Sequence, residues 1–154
     1  METSQITLSF ANISGKMIEA DFDGGTTTSD GGALLLRQAE ARTGIVDRIV
    51  AAMSDRRHQS YIDHTHTDLI RQRVFQIACG YEDADDLEQE ISDPGLKTAC
   101  DRLPLTGDDL ASQPTMSRLE NSVSRSDLYR IGLALLEAFI ESYDQPPKKL
   151  TIAI

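Results

Sequence analysis

The feature that most constrains the fold is a broad apolar stripe near the C-terminal end. Ser124-Arg125-Ser126-Asp127 is typical of a helix start, because a capping serine and an acid three residues later satisfy free backbone amides. The helix that it opens is expected to extend to Tyr143. Its apolar residues cover a wide face and are Leu128, Ile131, Leu133, Leu135, Leu136, Phe139 and Ile140. Exposure of so wide an apolar face to water is unfavourable, so we predict that this helix packs at the centre of the domain.

The composition is that of a globular domain. The 154 residues are 40% hydrophobic and 26% charged, which is enough apolar side chain for one core. The sequence has neither an apolar run of transmembrane length nor a signal-peptide pattern, so cytoplasm is the expected compartment. Cys79 and Cys100 lie in helical patterns without a CxxC motif, which favours buried free thiols over a disulfide or a metal pair.

Charge is distributed unevenly along the chain. The net charge of −10 argues at first sight against a nucleic-acid partner. Residues 82–112 carry ten acids against two bases, whereas residues 113–154 carry five of each. The acidic run 82–90 has the composition of a solvated helix face, with acids near a helix start where the macrodipole favours them. The negative net charge of the whole chain therefore does not argue against nucleic-acid binding by residues 113–154, where acids and bases are equal in number.

A β-hairpin and a glycine-rich tract are predicted at the N-terminal end. Apolar and polar residues alternate over 6–10 and over 18–22, with turn formers between them at 12–15. The tract 23–32 lacks the Gly-Lys-Ser/Thr ending and the GxGxxG spacing of phosphate-binding loops, so turn chemistry accounts for it better. Within the tract, Ser29 or Asp30 is expected to cap the first helix.

Short helices are predicted through the middle of the chain. The first is expected to end at Thr43-Gly44, and the second to span Ile45 to Met53. Thr67 and Asp68 are expected to cap a strong helix from Leu69 to Cys79, which Gly80 ends. Further short helices are predicted over Asp85 to Ile91, over Pro94 to Arg102, and from Pro114 to about Val123.

The segment 111–121 has the composition of a recognition helix. Met116 and Leu119 are spaced to face inward. Its polar residues are of the types that reach base edges or phosphates from a helix N-terminus, although an ordinary polar surface helix would have the same composition. The candidate DNA-binding residues are Gln113, Thr115, Ser117, Arg118 and Asn121.

Other chemistries have weaker support. His58, His64 and His66 offer nitrogen ligands suited to zinc, but two histidines two residues apart before a helix face different ways, and HExxH is absent. A GxSxG elbow is also absent, and neither cysteine has the electropositive, exposed surroundings that would lower its pKa. The sequence therefore favours neither a metal site nor nucleophilic catalysis, and we predict no catalytic residue and no cofactor in this chain.

The final residues 150–154 are apolar on both faces, which is typical of a central strand covered by helices. A strand of this kind needs neighbours on both sides, because its backbone groups and side chains are otherwise exposed. We therefore expect the chain to be the front part of a longer protein.

Four motifs carry a family resemblance: FDGGTTTSDGGALLLRQAE (22–40), DLIRQRVFQIACGYEDADDLE (68–88), SDPGLKTACDRLP (92–104) and SQPTMSRLEN (112–121). In this order and spacing they resemble the N-terminal part of DDE transposases of bacterial insertion sequences, group 1 type. The resemblance covers nearly the whole chain. It implies a full-length parent that cuts and joins DNA with three carboxylates and Mg²⁺, on an RNase H-like domain whose first strand residues 150–154 represent.

The resemblance also implies roles for the region before that strand. We expect it to recognise the terminal inverted repeats of the element and to pair two copies of the enzyme as a homo-oligomer. The fold expected is mainly α, with a short N-terminal β-hairpin and then a multi-helix bundle with helix-turn-helix-like elements. The predicted divisions are 1–32 for the hairpin and turn, 33–144 for the helical DNA-recognition and assembly domain, and 145–154 for a linker and the first strand of a truncated RNase H-like domain.

Two functions follow as hypotheses. The first is a DNA-recognition and assembly region that is catalytically inert by itself, because none of the three catalytic acids can be assigned to a residue present. The alternative is a protein-interaction or dimerisation module without direct DNA contact, in which the acidic segment and the last helix dock onto another domain or subunit. The uneven charge favours the alternative.

Overall fold

A computed structural model describes residues 8–20, 28–55, 57, 62–83, 90–145, 147–149 and 151. Within these ranges the chain is mainly helical with one short antiparallel hairpin, which confirms the coarse fold prediction. The elements are β1 (Leu8–Ile13), β2 (Lys16–Ala20), α1 (Ala33–Thr43), α2 (Ile45–Ala52), α3 (His66–Ala78), α4 (Pro94–Ala99), α5 (Gln113–Ser122) and α6 (Arg125–Glu141).

The hairpin turns where the sequence predicted. Ser14 and Gly15 have φ values of 48° and 75°, and Ile13 pairs with Lys16 across them. Positive φ at both central residues of a two-residue turn matches the right-handed twist of the strands. The predicted extensions of the strands to Ile6 and Phe22 lie outside the described residues.

Two helices, α1 and α3, have N-cap residues other than the predicted ones. Gly32 is the N-cap of α1, not Ser29 or Asp30; the Asp30 carboxylate instead accepts a hydrogen bond from the Tyr81 hydroxyl at 3.0 Å. Thr65 caps α3 in a capping box with Asp68, so the predicted start was three residues late.

The remaining helix ends follow the sequence more closely. Gly44, with φ of 60°, ends α1 as predicted, and the capping box of Ser124 and Asp127 opens α6. α4 ends at Ala99 rather than at the predicted Arg102. Two residues after this end, Asp101 has a positive φ of 64°, which is not helical. The predicted helix 85–91 lies largely outside the described residues.

α3 is the central helix, and two apolar clusters form on it. One cluster joins α3 to α2 and α5, and the other joins it to α1 and α4. Phe75 lies in the second cluster. The fully or almost fully buried members include Val46, Leu69 and Met116 in the first cluster, and Ala33, Leu96 and Ala99 in the second.

A buried amide fixes α5 against α3. The side chain of Gln72 on α3 accepts from the Ala111 N–H at 2.8 Å and donates to the Ala111 carbonyl at 2.9 Å. Gln72 is 2% exposed and Ala111 0% exposed, so both backbone groups depend on this side chain rather than on water. One glutamine therefore sets the point at which the chain enters α5.

Two of the sequence motifs meet in space. The Thr28 hydroxyl lies 2.7 Å from Asp93 Oδ2, and Asp93 caps α4 through the Leu96 amide. A Cβ on Gly95 would lie 2.8 Å from the Thr28 side chain, so only glycine allows this approach. Residues 28–32 and 92–95 therefore form one structural joint.

The prediction that α6 packs centrally was wrong. Asp127 is the one fully buried residue of α6, a helix described throughout, and α6 packs on α2 at the edge of the domain. Leu128, Leu136 and Ile140 are 59%, 52% and 60% exposed. The apolar face of α6 is therefore wider than the surface that the other described residues bury.

The state of the two cysteines and the lengths of the helices bear on two further predictions. Cys79 and Cys100 are free thiols, as predicted; Cys100 is buried, whereas Cys79 is only half-buried. Among the described helices, none has the length and hydropathy needed to cross a bilayer. Of the predicted last strand, only Thr151 is described, so that strand and the proposed divisions of the chain stay predictions.

Two glutamines on α3 provide a matched stability test. We expect Gln72→Leu to lower the free energy of unfolding by about 2–5 kcal/mol, because it leaves the buried N–H and carbonyl of Ala111 unpaired. Gln76 is equally buried, and its amide atoms have no hydrogen-bond partner among the described residues, so Gln76→Leu should be neutral or stabilising. Urea denaturation of both variants measures this, and equal losses would contradict the assigned role of Gln72.

Candidate nucleic-acid interface

α5 is held rigidly on the body of the domain. Met116 and Leu119 are 0% and 7% exposed and face the core, as the sequence predicted. Pro114 lies in the first turn, where its missing N–H costs no hydrogen bond. Arg73 of α3 reaches Glu120 at 2.5 Å, so the two helices are joined by an ion pair as well as by apolar packing.

A cleft of about 470 Å³ lies beside α5, between this helix and the segment that leads into α3. Ile62, Leu69 and Leu119 give it apolar walls. Its polar lining combines hydrogen-bond donors and acceptors and consists of Ser54, Asp55, Arg57, Asp63, His64, His66, Thr115, Arg118 and Ser122. A lining of this kind can read a mixed donor and acceptor pattern such as a base edge.

The segment beside α5 is cross-linked by charged hydrogen bonds. Arg57 contacts Asp55 through two nitrogens, at 2.9 and 2.7 Å, and donates to the His64 carbonyl at 2.9 Å. The bonded guanidinium holds the pKa of the Asp55 carboxyl well below its usual range. Arg57 is therefore tied to the protein, which fixes this wall of the cleft.

The two described histidines of the cleft favour the neutral form. Burial lowers the pKa of both His64 and His66, and the charge of Arg102 lowers that of His64 further. Nη2 of Arg102 lies 3.0 Å from His64 Nδ1, which accepts its hydrogen bond. His64 therefore has that nitrogen engaged within the protein. His58, the third histidine of the metal hypothesis, lies outside the described residues.

The five predicted DNA-binding residues divide between two sides of α5. Thr115 and Arg118 line the cleft, Arg118 being exposed. Asn121 is exposed but donates to the Ser117 carbonyl at 2.8 Å, outside the cleft lining. Gln113 is the first residue of the helix and is half-buried. The structure therefore brings two of the five together in one cleft.

Arg118 retains hydrogen-bonding capacity. Its Nε donates to the Pro114 carbonyl at 3.0 Å, one turn back along α5. A guanidinium has five N–H donors in a planar fork, so this bond leaves its Nη groups for another acceptor.

Sequence reasoning did not connect the 54–66 segment with α5. The sequence pattern of this segment indicates only His58, His64 and His66 as weakly supported metal ligands. Its place beside Thr115 and Arg118 follows from the packing of α3 on α5, which joins residues about fifty positions apart. Periodicity within either segment carries no signal of that pairing.

Three acids also meet near the joint between residues 28–32 and 92–95. Carboxylate oxygens of Asp30, Glu90 and Asp93 lie within 4.8 Å of one another. Asp93 Oδ1 already accepts from the Leu96 amide at 2.8 Å and the Thr28 hydroxyl at 2.9 Å. Asp30 accepts from Tyr81, as noted above.

This trio does not fit the two-ion catalytic centre of a DDE enzyme. A divalent ion needs free carboxylate lone pairs, whereas Asp30 and Asp93 use theirs to hold a turn and a helix start. Burial and the charge of Asp30 raise the pKa of Glu90 to about 7, so Glu90 loses its proton less readily than an ordinary carboxyl, whereas a metal ligand must be ionised. We therefore assign no catalytic position to these acids.

A protein-family comparison supplies the context for this geometry. The family model for the transposase DDE domain, group 1, matches residues 10–154. This chain belongs to that family. The membership confirms the resemblance drawn from the four motifs and supports a role related to transposition. Neither curated proteins nor solved structures gave a match to the chain.

Glu90 makes the stability of this transposase-family chain depend on pH. The pKa of Glu90 is raised from 4.5 to about 7 on folding, so its stabilising contribution is complete below about pH 4.5 and is lost as the pH rises through about 7. Glu90→Gln resembles the protonated form. The variant should therefore be more stable than the parent chain at about pH 8, with the difference fading below about pH 5.

Urea denaturation across this pH range measures the effect. Exposed Glu19→Gln is the control and should show no gain at high pH. Parallel stability profiles for Glu90→Gln and the parent chain would contradict the raised pKa.

Proposed function

We propose that this chain is the DNA-recognition and assembly region of an insertion-sequence DDE transposase, and that it is catalytically inert by itself. The observation that carries the proposal is the cleft in which Thr115 and Arg118 of α5 lie beside His66 and Arg57. Family membership makes DNA the expected partner.

The dimensions of α5 suit a helix that enters a DNA groove. Its ten residues give a length of about 15 Å, and a major groove about 12 Å wide admits one helix. We propose that α5 is the reading helix of a helix-turn-helix-like array, in which α4 belongs to the scaffold and α3 joins the two helices. Arg118 would contact guanine or a phosphate through its Nη groups, and Thr115, Gln113, Ser117 and Asn121 would add polar contacts along the same groove.

Charge limits how tightly the chain can bind. The net charge is −10, and Arg57 is already paired with Asp55, so few cations are left to neutralise phosphates. We therefore expect binding that is weak, with a shallow dependence on salt. Discrimination between sequences would then depend on base contacts more than on phosphate contacts.

The terminal inverted repeats of the element are the proposed DNA target. Strand cleavage in the full-length parent would require three carboxylates and Mg²⁺ that other parts of the enzyme supply. In this proposal, the region described here selects the DNA ends and helps to pair two enzyme copies as a homo-oligomer. It contributes binding and positioning rather than bond cleavage.

A fluorescence anisotropy titration tests the proposal. The chain is titrated against a labelled duplex carrying the terminal repeat and against a scrambled duplex, at two salt concentrations. We expect tighter binding to the repeat. Arg118→Ala should weaken binding to the repeat by about 1–3 kcal/mol, roughly 5-fold to 150-fold, if Arg118 contacts a base.

Arg42→Ala is the matched control, because Arg42 is an exposed arginine of α1 that does not line the cleft. It should leave binding almost unchanged. Equal, negligible binding of the parent chain to both duplexes would refute DNA recognition. Unchanged discrimination in Arg118→Ala would assign the base contact to another residue.

The alternative function, a protein-interaction module without DNA contact, also has a specific observation in its favour. α6 presents large apolar side chains to solvent, which is typical of an interaction surface. A protein contact at α6 would not by itself exclude DNA contact at α5, because the α5 cleft and the exposed side of α6 are formed by different residues.

A further inference from the structure

Two connections lead from the cleft beside α5 to the first turn of α6. On one side, Ser122 is the last residue of α5 and lines the cleft, and two residues later Ser124 is the N-cap of α6. On the other side, Ser54 and Asp55 line the cleft shortly after α2 ends at Ala52. Both walls of the cleft are therefore attached to chain segments that meet near the start of α6.

Arg130 joins these two segments. Its Nε donates to the Ala52 carbonyl at 2.8 Å, and its Nη2 donates to Ser54 Oγ at 3.3 Å and to the Asp127 carboxylate. Asp127 in turn accepts from the Ser124 N–H at 2.9 Å. One guanidinium therefore links the chain that leaves α2 with the chain that enters α6.

The end of α2 is capped by this guanidinium. The last carbonyls of a helix have no partner within it and carry a partial negative charge, so a cation that donates to one of them is stabilising. After Ala52 the backbone becomes extended at once, with φ of −102° and ψ of 155° at Met53. Arg130 therefore fixes the point from which the chain departs toward Ser54.

The position of Asp127 shields this link from water. Its side chain is 5% exposed, whereas that of Arg130 is 46% exposed. Hydrogen bonds from Ser124 hold the pKa of the Asp127 carboxyl below its usual range, so Asp127 is ionised at neutral pH. A second ion pair between α2 and α6, that of Arg48 with Glu141, has both side chains more open to solvent than Asp127.

Asp127 also lies close to a residue of the cleft. Burial lowers the pKa of the His66 imidazole, and the negative charges of Asp55 and Asp127 act against this effect. His66 and Asp55 both line the cleft. The carboxylate that Arg130 holds therefore acts on the cleft from behind its lining.

We propose that Arg130 is a positioning residue of the DNA site: it sets the width of the cleft by holding Ser54 and Asp55 on one side and the end of α5 on the other. This inference rests on the proposed function. Arg130 is outside the cleft lining, so it acts through residues that face the DNA. A binding site keeps its geometry only when groups behind the contact residues hold them in place.

Amide hydrogen exchange tests the structural half of this inference without DNA. The Arg57 N–H donates to Asp55 Oδ1 at 3.0 Å, so its exchange rate reports whether this wall is intact. We expect Arg130→Ala to speed exchange at Arg57 severalfold. Arg48→Ala is the matched control, because it also breaks an ion pair between α2 and α6 but lies outside the cleft lining, and it should leave the rate unchanged. Circular dichroism should show that both variants keep their helices.

Anisotropy titrations with the terminal-repeat and scrambled duplexes test the functional half. Arg130→Ala should bind the repeat severalfold more weakly but with the same salt dependence, whereas loss of a phosphate contact would lower the salt slope by about 1. When Arg118→Ala is added, the two losses should not add, because both act on one base contact.

Arg130→Lys is the conservative variant. Lysine keeps the charge beside Asp127 but lacks the planar fork that bonds three groups at once, so it should recover part of the binding. It also serves in both measurements if the alanine variant does not fold.

The outcomes separate the two proposals. Equal, negligible binding of the parent chain to both duplexes would refute the proposed function, and exchange at Arg57 would still decide whether Arg130 holds the wall. Unchanged exchange in Arg130→Ala, or the same acceleration in Arg48→Ala, would overturn the inference. A lower salt slope or fully additive losses would also overturn it, because either would make Arg130 a direct DNA contact. Discrimination that survives a loosened wall would overturn it as well.

Discussion

The structure depends on α3 as a shared packing partner, and above all on the pairing of the Gln72 side chain with the backbone of Ala111. Both groups are buried, so the two hydrogen bonds have no competition from water. The pairing fixes where the chain enters α5, and apolar packing of Met116 and Leu119 then sets the direction of that helix. The cleft with Thr115 and Arg118 exists because α5 cannot shift along α3 without breaking these bonds.

The same principle explains the acidic character of the domain. Some of its acids serve as internal acceptors: Asp93 caps α4 and binds Thr28, and Asp30 binds Tyr81. Their oxygens are consumed by hydrogen bonds that join distant segments, which separates this cluster from catalytic metal chemistry. The pKa of Glu90 is raised beside them, first by its partial burial and then by the negative charge of Asp30.

Local signals predicted most of the helices and the hairpin. Ser14-Gly15, Gly44 and the Ser124–Asp127 capping box act through their own backbone neighbours, so they could be read directly from the sequence. The errors at α1 and α3 arose where several capping residues stand together. Asp30 is drawn to Tyr81 across the fold, and Thr65 is favoured over Thr67 because its partner Asp68 lies three residues on.

The sequence by itself determined the family, the helical class and the inward side of α5, because motif order and helical periodicity are properties of neighbouring residues. Only the tertiary structure decided what surrounds each helix. It placed Arg57 and residues 62–66 beside Arg118, and it put α6 at the edge of the domain with its apolar side in water. Hydrophobic periodicity tells how much surface a helix needs to bury, but it does not identify the partner that buries it.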